Sequence, residues 1–252
     1  MHLVKIKKLA PHLELHVIDI QEVDYEFEKK IDDFLVSICE GESFSEIINV
    51  KKRLKDFLST KTESTRMGAI AEFFIHLYMR INGYKQEFLF FNLEEGSIKK
   101  GFDGYFSKED ETYIVESKSG LMTTKNIKHE AKLKEAFSDI EKYVSGKSDK
   151  GSNNPWRNAY NHASHIDVGS SKAIRTQIKE LSDLYDKNNF KKVEEFNIIP
   201  CSTIFLDGEW SGNFSDEILG DYKSLLNFKG KSIKAVCITK QSIHLLNKYL
   251  SN

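Results

Sequence analysis

Apolar and polar residues alternate through LVKIKKLA and LELHVIDI, a period of two that predicts one or two strands broken at Pro11. The period then lengthens. Over residues 25–38, Phe27, Ile31, Phe34, Leu35 and Ile38 recur three or four apart, as in a helix with one buried face, and Gly41 follows as a stop signal. Residues 44–58 predict a second helix with Ile47, Ile48, Leu54, Phe57 and Leu58 inward. Residues 64–81 predict a third, capped by Gly83. FLFFN at 88–92 reads as a short buried strand. GFDGYF at 101–106, the polar turn SKEDE and TYIVESK at 112–118 together read as a β-hairpin. A fourth helix is expected over 126–144, then an Asn-rich polar section around GSNNPWRNAYNH, then a helix ending near Tyr185. Residues 196–207 and 233–240 have the β-branched density of buried strands, and a short helix closes the chain.

This succession predicts an α/β protein whose helices cover both faces of one central mixed sheet. Composition adds three constraints. At 252 residues, 40% hydrophobic and 30% charged, the chain can bury a core. Cys39, Cys201 and Cys237 are odd in number and widely spaced, which argues against a disulfide framework and fits a cytoplasmic location. No apolar run approaches the ~18 residues of a membrane span, so no membrane association is expected. The net charge of −1 conceals an asymmetry: residues 12–50 hold eleven Asp/Glu against two lysines, and the remainder is mildly basic. An acidic front repels a phosphate backbone, so residues 1–62 are expected to form an acidic α+β extension facing a protein partner, and 63–252 a second domain.

The richest stretch chemically is FDGYFSKEDETYIVESKSG. Strand side chains alternate faces, so Glu116 and Lys118 share one side and Ser117 takes the other. The turn brings Asp103 opposite Val115 or Glu116, depending on register. Two carboxylates and an ammonium thereby converge, and hard oxygen ligands of this kind suit Mg²⁺ or Mn²⁺. A divalent cation activates water and neutralises a phosphate, which is what phosphodiester hydrolysis requires. Lys125, Lys128 and Lys132, after the second hairpin strand, are candidates for nucleic-acid contact, though Glu130 and Glu135 make an ordinary solvated face equally plausible. Trp156, Arg157 and Tyr160 read as a loop anchor more readily than as a base-stacking platform. His162, His165 and Cys201 lack the paired spacing of a zinc site. GxxxxGK[ST], GxGxxG and GxSxG are absent, which removes the usual support for an NTPase, a Rossmann dehydrogenase or an α/β-hydrolase.

Asp103 followed by Glu116-Ser117-Lys118 at the end of an apolar strand resembles the PD-(D/E)xK motif of restriction-endonuclease-like nucleases, with Phe102 where the motif has proline. The resemblance covers about 140 residues and implies a core in the order αβββαβ. It also implies Asp103 and Glu116 as metal ligands, Glu72 as a further acid from the preceding helix, and Lys118 as the residue that orients or activates water. Double-stranded DNA is the substrate this superfamily implies. GFDG, the strand ending in ESK and the Ile/Lys-rich helix after it are similar to the nuclease subunit of the Hachiman anti-phage defence system, which implies a helicase (ATPase) partner. Two other readings stay open: a stand-alone restriction endonuclease acting as a homodimer, and a non-catalytic nucleic-acid- or protein-binding module on the same fold.

Overall fold

The computed structural model describes residues 3–90, 101–147, 154–206 and 208–251. Its first two strands, β1 (Leu3–Ala10) and β2 (Leu13–Ile20), form an antiparallel hairpin around Pro11. Helices α1 (Tyr25–Glu40), α2 (Ile47–Ser59) and α3 (Glu63–Ile81) follow. After β3 (Lys85–Gln86) come the hairpin strands β4 (Gly104–Lys108) and β5 (Glu111–Leu121), then α4 (His129–Val144), α5 (Pro155–Ala163) and α6 (Lys172–Asp186). The chain continues through β6 (Asn197–Phe205), α7 (Asn213–Gly220), β7 (Ser232–Lys240) and α8 (His244–Tyr249).

All seven strands belong to one mixed sheet, ordered β1-β2-β7-β6-β5-β4-β3. Pairing is parallel along β2-β7-β6-β5 and antiparallel at both margins. The segment α3-β3-β4-β5-α4 leading to β6 has the expected helix, three strands, helix, strand order, although α5 and α6 are inserted before β6. β6 is buried along its whole length, as a central parallel strand covered on both faces must be. Its residues alternate between two cores. Ile199, Cys201 and Phe205 face α1, α2, α3 and α8, whereas Ile198 faces α4, α5 and α7.

Several boundaries differ from expectation for local reasons. Residues 88–90 are irregular and not a strand. Phe88 and Phe90 are buried in opposite cores, and the Gln86 amide donates to the Ile38 and Phe88 carbonyls, tying the segment to the end of α1 (Phe91 and Asn92 lie outside the described residues). α2 starts at Ile47, leaving Phe44 fully exposed ahead of it. α4 starts at His129 because Asn126 has a positive φ of 59° and Lys128 is the extended N-cap residue. The polar section holds a helix: Asn154 caps α5 by accepting from the Trp156 and Arg157 backbone N–H groups, and Pro155 occupies the first turn. Trp156 is therefore buried against Phe102 and Phe196. α7 carries no expectation from periodicity; it is only eight residues long.

Gly41 ends α1 with φ 71° and ψ −133°, and a Cβ there would stand 2.0 Å from the Asp167 carbonyl oxygen, beside the Glu42 N–H to Asp167 O bond of 2.7 Å. Strain and backbone collision act together, so Gly41→Ala is expected to cost at least ~2 kcal/mol. Urea denaturation of the two proteins checks this; equal midpoints would show that the 165–169 turn yields freely.

Candidate active site

The site is built on β5 where the hairpin opens. Tyr113 and Val115 face the α1–α3 core and Ile114 the α4 core, so Glu116 continues the α4-facing row, two residues before Lys118. The register Gly104↔Val115 places Asp103 just beyond the last β4 pair, at the level of Glu116, resolving the two registers the sequence left open. There Asp103 Oδ2 accepts the Ser117 backbone N–H at 2.7 Å. Phe102, packed edge-on to Trp156 and Tyr143, anchors the chain immediately before Asp103.

Lys118 Nζ donates to Glu116 Oε1 and pairs with Asp139 Oδ2, each at 2.7 Å. Asp139 lies on α4 and was not anticipated. The available signal was a charged residue between Ala136 and Ile140, at the edge of the buried stripe of that helix. Glu116 is 2% exposed, and its Oε2 is buried without a hydrogen-bond partner. Burial first, then the Asp103 charge, push its carboxyl well above the usual range against the pull of Lys118. Burial would lower the Lys118 ammonium, but the charges of Glu116 and Asp103 and the hydrogen bonds to Asp139 and Glu116 outweigh it and hold the proton on. Three carboxylates against one ammonium leave this half-buried cluster short of positive charge, and an orphaned carboxylate oxygen is where a cation or a proton would go.

Glu72 lies on α3, and its Oε1 is 3.5 Å from His76 Nε2. That nitrogen is in turn 3.5 Å from the point where a Cβ on Gly104 would lie, so it is His76 that meets the residue after Asp103. Among the described residues, no three His, Cys, Asp or Glu side chains are gathered as a ready metal cage. His162 packs on Phe88, His165 pairs with Asp167 at 3.8 Å, and Cys201 is buried in the sheet. Of the three candidate contact lysines, Lys125 is exposed, Lys128 pairs with Glu217 on α7, and Lys132 pairs with Glu135 at 2.7 Å. Lys128 precedes the helix, so it does not continue the helical face of Lys132. Arg157 pairs with Asp186 at 2.7 Å.

A seven-stranded mixed sheet between helical layers, with a carboxylate–lysine cluster on β5, defines an α/β protein consistent with a nuclease-like core. A protein-family model described as HamA matches residues 5–248, and the chain belongs to the HamA family. That membership accords with a part in anti-phage defence. Comparison with curated proteins gives no match. No helix among the described residues is long and apolar enough to cross a membrane.

Proposed function

We propose that this protein is a metal-dependent nuclease that hydrolyses phosphodiester bonds of DNA, and that Asp103, Glu116 and Lys118 form its reacting centre. The observation carrying this reading is the buried, unpartnered Glu116 Oε2 beside Asp103 and a lysine kept charged by its neighbours. Asp103 and Glu116 would hold Mg²⁺ or Mn²⁺, a donor set that suits a cation retaining most of its own waters, and the family resemblance adds Glu72 of α3 as an outer or second-metal ligand. When bound, the cation supplies acidification of water and neutralisation of charge growing on phosphate. The chain's own contribution is placement and field. Asp103 is fixed by the Ser117 N–H and Lys118 by Asp139, so neither needs to reorganise when substrate arrives. Lys118, held between Glu116 and Asp139, would orient or activate the attacking water.

Double-stranded DNA is the substrate and a helicase the partner, both supported by the resemblance to the Hachiman nuclease subunit and by HamA membership. The exposed acidic residues of the stretch 12–50 are the part least suited to DNA and are assigned to the partner. Plasmid cleavage with Mg²⁺ or Mn²⁺, with and without the partner, is the test. Glu116→Gln keeps the shape of the side chain and is expected to slow cleavage by ~10²–10⁴-fold. Unchanged cleavage would dismiss the site, and no cleavage by the natural protein in any condition would favour a binding module on this fold.

A further inference from the structure

His76 stands out within α3. Its helical neighbours Phe73, Phe74, Ile75, Leu77 and Met79 are buried and apolar, and the imidazole is itself 0% exposed. The ring lies between Phe90 and Phe106, with centroids 5.6 and 5.1 Å away. Neither ring nitrogen makes a hydrogen bond. A buried polar atom left unsatisfied costs ~1–3 kcal/mol, and a phenylalanine would fill the same space without that penalty. A position that pays nothing back in packing points to a task for a nitrogen. Nε2 is the one that meets the site: it is 3.5 Å from Glu72 Oε1 and beside bare Gly104, the residue after Asp103.

We propose that His76 is the positioning residue of Glu72: its Nε2–H directs the carboxylate from one helical turn away toward the Asp103 end of the hairpin. This rests on the nuclease reading for its purpose but not for its geometry. At 3.5 Å the contact is a loose one, and a shift of a few tenths of an ångström brings it within ordinary hydrogen-bond length. The two phenyl rings flank the imidazole, and Glu72, 20% exposed, lies at its Nε2 edge. A neutral imidazole suffices, since only the donor at Nε2 is used.

Two measurements test this. Long-range ¹H–¹⁵N spectra of the imidazole in the natural protein should show the proton on Nε2, with resonances that move in Glu72→Ala. A proton on Nδ1, or a ring indifferent to Glu72→Ala, would overturn the assignment. In cleavage assays His76→Phe should lower kcat by ~10–100-fold with little change in KM. His76→Gln, whose amide nitrogen reaches the Nε2 position, should restore most of the rate, and His76→Asn, which imitates only Nδ1, should not. Equal rates for Phe and Gln would again overturn it. If the natural protein cleaves no DNA while the ring still reports Glu72, the nuclease reading fails and the His76–Glu72 tie stands. An active enzyme whose ring ignores Glu72 separates the two the other way.

Discussion

Lys118→Met is expected to destabilise the fold by ~3–5 kcal/mol, far more than the isosteric Glu116→Gln, which should cost ~1 kcal/mol or less. The asymmetry follows from the charge inventory. Lys118 bridges Glu116 and Asp139 at 2.7 Å each, with Asp103 close by, and its side chain is only 16% exposed. Removing the ammonium leaves Glu116 buried with no opposing charge from this lysine. Removing the Glu116 charge instead leaves Lys118 paired with Asp139 and relieves a carboxyl that burial already disfavours. Both substitutions impair the proposed chemistry, so Glu116→Gln separates activity from stability, as sites built for function commonly do. Urea denaturation of the natural protein, both single variants and the double variant measures the pair directly. A Lys118→Met protein as stable as the natural one would show that a proton or water replaces the lysine at Glu116 without cost.

The second large effect concerns acid stability. His129, at the start of α4 and 2% exposed, bridges Ser202 Oγ at 2.8 Å through Nδ1 and Thr239 Oγ1 at 3.0 Å through Nε2. Thr239 continues to Ser215 at 2.7 Å, and Ser215 donates to Asp19 at 2.5 Å. Hydrogen counting sets the direction of this chain. Ser215 gives its hydrogen to Asp19 and so accepts from Thr239. Thr239 accepts from Nε2–H, and Nδ1 accepts from Ser202. The ring is thus a neutral Nε2–H tautomer joining α4 to β6 and β7, with α7 and β2 beyond. Burial depresses its pKa from 6.5 to about 3. Above pH 6.5 the ring is neutral in both folded and unfolded protein and contributes no slope. Between pH 6.5 and about 3 the unfolded chain binds a proton that the folded one refuses. Stability is therefore lost as pH falls, by ~2 kcal/mol at pH 5 and approaching ~5 kcal/mol near pH 3. His129→Gln lowers stability at pH 7 but should flatten this acid slope. Denaturation curves at pH 7 and pH 5 decide it, and parallel losses in both proteins would place the acid sensitivity elsewhere.

The elements that were legible in the sequence are those whose cause is local. The spacing of Phe27, Ile31, Leu35 and Ile38 needs only a helix and a core on one side, and the hairpin carrying Asp103, Glu116 and Lys118 is closed by a short polar turn. The helix at 155–163 was equally local but looked like a loop, because Asn154-Pro155 serves a helix start as readily as a turn. Strand alternation by itself already placed Glu116 and Lys118 on one face.

What no local pattern could state is who stands opposite. Asp139 reaches Lys118 because α4 packs back across β5 and β6, and His76 meets Gly104 because α3 crosses the other face. β1 and β2 enter the sheet through β7, more than 200 residues later in the chain. Alternation, caps and the ExK spacing on one strand were thus determined by the residues themselves, since strand pleat and helix pitch are properties of short segments. The charge deficit at Glu116, the lysine's second carboxylate and the neutral His129 bridge were decided only by tertiary structure. Burial and the electrostatics it amplifies arise from contacts between segments that nothing in their own sequence holds together.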